Sequence, residues 1–170
     1  SQSKTERPDR PVLFLVQVNF ESVPAMALTR LLKDVDSKIF DESITFRSYK
    51  ASESSLLAGF DMESSAMEFI ELVTDSLKGN SAQVSAKISL SAGPVFMEAK
   101  NSPINKTVTG ESVALVKRMD SLAVPGTILA SDHFAAVLAL ESKKYTIEYC
   151  GVLTSENGNR NVYTVKGNTL

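Results

Sequence analysis

Apolar and polar residues alternate most regularly from Ile88 to Ser131, and the rest of the chain can be read outward from that stretch. Ile88, Leu90 and Ala92 alternate with serines, Gly93-Pro94 interrupts, and Val95, Met97 and Ala99 alternate again. A period of two on both sides of a turn pair predicts a β-hairpin with one buried face. Thr109 stands where it can cap a helix in which Val113, Leu115, Val116, Met119 and Leu122 recur at helical spacing. Pro125-Gly126 ends that segment, and Thr127 to Ala130 reads as a short strand.

Upstream, Val12 to Val18 is a β-rich apolar run of the kind buried on both faces, and Asn19 to Ser22 leaves the strand. A helix is predicted over Ala25 to Ile39 from the stripe Leu28, Leu31, Leu32 and Val35. Ser43 to Lys50 alternates as a second strand, Ala51 to Ser54 turns, and Ser55 to Phe60 forms a third. Asp61 is placed to cap a helix to about Leu77, with Ala66, Phe69, Ile70 and Val73 inward and Lys78-Gly79-Asn80 as its stop. Gln83 to Ser91 is the fourth strand. After the helix of the opening stretch come the Thr127 strand, a short helix capped by Ser131, and strands near Tyr145–Cys150 and Asn161–Val165. A turn over Ser155 to Asn159 joins the last two.

This order gives an α+β class, a ferredoxin-like βαββαβ core extended to a mixed sheet backed by helices. Residues 1–11, polar and twice interrupted by proline, read as a linker or tag remnant, and 12–170 as one domain.

Composition narrows the function. A net charge of −2 and a pI near 5.5 exclude a basic nucleic-acid footprint. No apolar run approaches the ~20 residues that cross a bilayer. With a single histidine, His133, and a single cysteine, Cys150, there is no material for a zinc site or a nucleophile triad. The lone thiol agrees with a reducing compartment, and a cytoplasmic location is expected.

The segments SAGPV, GESVALVKRM, SLAVPGTILAS and NVYTVKG, in that order, resemble the catalytic domain of class III nucleotide cyclases. There a GP hairpin precedes a GxxVNxAxR helix and an LAxPGxIxxS segment. The likeness reaches back weakly to Val12. It implies a nucleotide-cyclase-like fold, and a chemistry in which two Asp carboxylates hold two metal ions on a nucleoside triphosphate. Magnesium takes hard oxygen ligands and polarises phosphoryl oxygens.

Aligning Phe14 and Phe20 with the first-strand pattern FxDhxGF puts Val16 at the first Asp position. Aligning Lys50 and Phe60 with KxxGDxxhAxF puts Ser54 at the second, with Glu53 in place of the glycine. Valine offers no oxygen and serine only a neutral one. Glu53 is one residue out of register, which turns its side chain to the other face unless a bulge intervenes. Gln17 is expected on the wrong face and Glu21 beyond the strand end, so the acids Glu53 and Glu21 read as solvated residues.

The base-reading half keeps more. By the same resemblance Lys50 and Thr107 stand where adenine is read, and Arg118 where phosphate is met. Ala114 replaces the Asn that orients the ribose, four residues before Arg118 on one helix face. Taken singly, Lys50 reads as a turn lysine, Thr107 as a strand-end threonine and Arg118 as a surface arginine. Jointly they fit a vestigial nucleotide site.

The resemblance thus implies a degenerate cyclase homology domain with no intact catalytic residue, no metal and no cofactor. It would act in signalling as a regulatory or dimerisation module. Its expected partners are a second copy or another cyclase-like domain, head to tail, and an upstream domain through the linker; nucleic acid and membrane are not among them. The alternatives are the base-reading half of a heterodimeric adenylate cyclase, and a sensor that binds nucleotide weakly without turnover.

Overall fold

The computed structural model describes residues 10–21, 25–79 and 84–167. Among them, the strands β1 (Val12–Glu21), β2 (Ser48–Ala51), β3 (Ser55–Phe60), β4 (Ser85–Pro94), β7 (Ile128–Ser131), β8 (Tyr145–Ser155) and β9 (Gly158–Gly167) form a seven-stranded sheet. Its order is β2-β3-β1-β4-β7-β9-β8, antiparallel throughout except for β4 beside β7. A separate two-stranded ribbon joins β5 (Phe96–Met97) to β6 (Val108–Thr109). The helices are α1 (Ala25–Asp41), α2 (Glu63–Gly79), α3 (Glu111–Met119) and α4 (Asp132–Glu141). The βαββαβ order and the mixed α+β class read from the periodicity are both present.

Side-chain alternation along β1 divides the core. Val16, Val18 and Phe20 join a cluster built with Leu31 and Val35 of α1, Phe69 and Val73 of α2, and Phe134 of α4. Leu13 and Leu15 face the other way, against Val95, Met97, Val108 and Val113. A third group, Leu115, Met119, Leu129, Leu153 and Val162, continues under α3 toward β8 and β9. The sheet therefore lies between three helices on one face and α3 with the ribbon on the other.

Several expectations are corrected. Gly93-Pro94 is not a hairpin turn. β4 runs through it, with Pro94 opposite Val12, and the ladder continues as the Val95 amide donates to the Pro11 carbonyl at 3.0 Å. The Val95 N–H points at β1, so the missing N–H of Pro94 falls on the other side, where β7 pairs only with Ile88 to Leu90. Phe96 and Met97 then pair with β6 instead of β4. Nor is the serine face solvated: Ser89 and Ser91 are buried, and the Ser91 hydroxyl donates to the Ser112 carbonyl at 2.8 Å. Small residues let α3 sit close to the strand. A Cβ at Gly93 would lie 2.2 Å from Ser112 Oγ and force that hydroxyl aside.

Thr109 belongs to β6, and the N-cap of α3 is Gly110, with φ 130° and ψ −179° and no side-chain cap bond. That conformation is open essentially to glycine alone, so backbone geometry outranks the threonine hydroxyl here. Leu122 lies beyond α3 and is exposed. Asp61 pairs with Arg47 at 2.6 Å, and α2 starts at Glu63. β1 does not end at Val18; it continues to Glu21, opposite Ser85. β8 and β9 are longer than expected and meet at a short turn after Ser155, with a bulge between Tyr149 and Gly151. Ser22, Asn80, Gln83 and most of the expected linker lie outside the described residues.

The second strand starts at Ser48, not Ser43, because α1 ends in a tight reversal. Ile44 N donates to Ile39 O at 3.2 Å and Ser43 N to Phe40 O at 3.2 Å, with Ser43 at φ 54°. These are the paired bonds of a Schellman C-cap, where glycine is the usual residue. A left-handed non-glycine residue carries roughly 1–2 kcal/mol of strain, against ~0.4–1 kcal/mol of extra chain entropy for glycine. Ser43→Gly is therefore expected to stabilise the domain by about 0.5–1 kcal/mol, and to raise Tm by about 1–4 °C. A thermal melt showing no gain would refute this account of the α1 terminus.

Candidate functional site

Val16 lies in the middle of β1, fully buried, opposite Ala58 on one side and Leu90 on the other. Ser54 is exposed in the β2–β3 turn, and its carbonyl accepts from the Phe20 amide at 2.8 Å. The two positions are not brought together: four residues of strand, ~13 Å, separate Val16 from the part of β1 that meets Ser54. Glu53 is exposed in the same turn. Glu21, on the last residue of β1, is held by Lys87 at 3.0 Å. Gln17 does face away from Val16. It is buried on the α3 side and donates to Asn19 at 3.1 Å, while Asn19 donates to Asp120 at 2.7 Å. No three His, Cys, Asp or Glu side chains gather to hold a metal among the described residues. The donors present do not fit a metal pair.

Lys50 and Thr107 both act on one carboxylate, Glu98. Lys50 is the third residue of β2, and segment 103–105 lies along that edge strand as a strap. Tyr49 N donates to Pro103 O at 2.9 Å, and Asn105 N to Tyr49 O at 2.7 Å. Two residues on, Thr107 meets Glu98 twice. Glu98 N donates to Thr107 O at 3.1 Å, and Thr107 N donates to Glu98 Oε1 at 2.7 Å. The Thr107 N–H is the main reason the Glu98 carboxyl sits below the usual carboxylate range, with Lys100, the Thr107 hydroxyl and Lys50 adding to it. Glu98 is thus a member of this cluster that the sequence did not reveal. Its partner is nine positions away, and only the β5–β6 ribbon sets them side by side.

Ala114 and Arg118 sit one turn apart on the exposed side of α3 and line a cavity of about 550 Å³ between that helix and the β8–β9 hairpin. The Arg118 guanidinium donates to the Thr154 carbonyl. Across the cavity Arg160 of β9 reaches Glu111 at 3.7 Å and Asp132 at 3.2 Å. Arg160 was also missed by sequence reasoning, since nothing near it in the chain marks it. Two guanidiniums on one cavity can meet an anion, but both already have partners from their own chain. His133 is exposed on the first turn of α4, and Cys150 is an exposed free thiol.

A folded-state carboxyl pKa below its unfolded value contributes stability above the unfolded pKa and loses it as pH falls through the folded one. The Thr107 amide resonance should therefore titrate with a midpoint below the ordinary carboxylate range, and its hydrogen-exchange protection should fall over the same interval. Glu98→Gln should remove that titration. An NMR midpoint at or above the ordinary range would contradict the Glu98–Thr107 contact.

No known family profile matches the sequence, and no curated protein matches it. Solved structures do. The catalytic core of a rhodopsin-guanylyl cyclase with converted specificity, in complex with ATPαS, superposes with a TM-score of 0.73 at 14% identity, covering 95% of this chain and 99% of that one. The adenylyl cyclase CyaB from P. aeruginosa gives 0.71 at 12% identity, over 96% and 97%. The guanylyl cyclase domain of the RhoGC fusion protein from the aquatic fungus Blastocladiella emersonii, in a non-canonical dimeric form, gives 0.71 at 17% identity, over 94% and 98%. The same domain is also known as a monomer. The fold of this chain is that of the nucleotide cyclase catalytic domain.

Proposed function

We propose that this domain is a cyclase fold without cyclase chemistry, a signalling module that works by associating with a second cyclase-like domain, head to tail. The observation that carries the reading is Val16. The position aligned with the first metal-binding Asp is an apolar side chain with no exposed surface, packed between Ala58 and Leu90. Ser54 supplies no carboxylate at the second position. An upstream domain would be the natural source or recipient of the signal, and a cytoplasmic, reducing setting suits the exposed thiol of Cys150. Among the described residues no helix is long and apolar enough to cross a membrane.

A second reading is the base-reading half of a heterodimeric adenylate cyclase, in which the partner supplies the metals. The shared influence of Lys50 and Thr107 on Glu98 and the placement of Arg118 on a cavity wall favour it. Ala114 and the bond tying Arg118 to Thr154 weigh against it. Nucleotide binding without turnover is the remaining possibility, and it calls for ATP or GTP affinity that magnesium changes little.

Two losses add up against catalysis. Metal ions contribute several kcal/mol at a phosphoryl transition state, and removing one preorganised donor elsewhere costs roughly 10²–10³ in rate. Incubated with ATP or GTP and magnesium or manganese, the purified domain should form no cyclic product. Val16→Asp should not restore it. That carboxylate would be sealed in an apolar core without a partner, and should lower stability by several kcal/mol. Turnover that survives repurification and disappears in Arg118→Ala would overturn the non-catalytic reading.

Self-association is the positive expectation. Sedimentation from about micromolar to hundred-micromolar concentration should show a species heavier than the 18.4 kDa protomer. Weak association suffices, since tethering to a neighbouring domain raises effective concentration. A protomer alone across that range counts against a homodimer.

A further inference from the structure

On the face of the sheet opposite α3, a groove of about 740 Å³ opens between the last turns of α1, the β2 edge and the 103–105 strap. We propose that this groove binds a small ligand carrying a protonated amine on an aromatic body, an arylalkylammonium. The proposal is independent of the nucleotide reading.

The walls are apolar and aromatic: Phe40, Ile44, Phe46, Tyr49 and Ile104. Phe46 and Tyr49 lie with ring centroids 4.6 Å apart, part of a larger aromatic group with Phe60 and Phe69, so this side of the groove is rigid. Phe40 is 84% exposed and Ile104 46% exposed, one on each bank. A planar apolar body lying between them would remove both from water. The volume falls within the range of small-molecule sites, which combine apolar walls with a few convergent polar groups.

The polar end selects the charge. Asp36 is the single charged side chain among the lining residues, and it has no ion-pair partner among the described residues. The buried Tyr49 phenol is pushed well above its ordinary range, first by burial and then by the Asp36 carboxylate, so the two groups address the same space. A carboxylate beside aromatic rings recognises an ammonium through Coulomb attraction and cation–π contact together. An anionic ligand of the same shape would meet Asp36 as a like charge.

The groove is also framed at both ends by unusual backbone. Ser43 at φ 54° and Asn105 at φ 60° are the only non-glycine residues with positive φ among the described residues, and both line it. They fix the α1 terminus and the strap on either side. The strap is hydrogen-bonded to Tyr49, the residue before Lys50, and leads directly to Thr107. A ligand held here would stiffen the backbone that supports both.

Methyl and amide NMR of the full chain can test this with three matched probes: 2-(1-naphthyl)ethylammonium, the neutral 2-(1-naphthyl)ethanol and the anion 1-naphthylacetate. The ammonium should bind saturably with Kd at or below about 1 mM, shifting Ile39, Ile44, Ile104 and Tyr49, and the anion should bind at least about tenfold more weakly. Asp36→Asn should weaken the ammonium by about tenfold while leaving the alcohol within about twofold, and Ile104→Ala should weaken both. Any of four results overturns the proposal: no saturable shifts, shifts mapping outside the groove, an anion binding as tightly as the amine, or an ammonium affinity unchanged in Asp36→Asn.

Discussion

Leu13 and Leu15 of β1 pack beneath α3 and the ribbon, while Val16, Val18 and Phe20 of the same strand pack beneath α1, α2 and α4. The central strand therefore has no face turned to water. Each such side chain contributes roughly 1.5–3 kcal/mol by burial, and together they dictate what surrounds them. β4 must flank β1 over its length and β3 from Phe14 to Asn19, helices must close one side, and small residues such as Ser91 and Gly93 must let α3 close the other. A strand so enclosed tolerates a carboxylate only as a buried, unpaired group. Val16 is one of these enclosed side chains, a hydrocarbon with no oxygen to offer.

The two clusters that the resemblance aligns with a nucleotide site hang from opposite parts of this frame. Lys50 sits on β2, along which the strap runs, and Thr107 sits beside Glu98 at the β5–β6 ribbon. Arg118 and Arg160 sit by the β8–β9 hairpin and depend on α3, with their charges answered by Thr154, Glu111 and Asp132. Glu98, Arg118 and Arg160 already have partners within the chain, so a ligand that engaged them would have to displace those contacts before gaining its own. Retained residue types are therefore a weaker sign of retained binding than they first look.

Much of the frame was legible in the chain because periodicity reports burial. The apolar run of β1, the stripes of α1 and α2 and the alternation of Ile88, Leu90 and Ala92 each mapped onto a buried face. What escaped was set by distant partners. Gly93-Pro94 looks like a turn locally, yet the long ladder to β1 keeps it extended. Thr109 looks like a cap, yet the backbone at Gly110 takes that place. Glu98 and Arg160 have no local signature at all, because the residues that give them a role arrive from another strand or helix. The family-like positions were readable only as single residues, and the separation of Val16 from Ser54 needed the register of β1 against β3.

The order of the strands also bears on how the chain is made. β9 is the last of the described strands along the sequence, yet it lies inside the sheet, between β7 and β8. On the ribosome the βαββαβ half emerges first and can assemble on β1. β7, however, must wait beside β4 with its outer edge unpaired until β9 is synthesised. During that interval the edge of Ile128 to Ser131 is open to any passing strand, the condition under which nascent chains need chaperones. Insertion of β9 closes the sheet and moves the free edge out to β8, whose bulge at Tyr149 and Gly151 makes it a poorer template for further pairing.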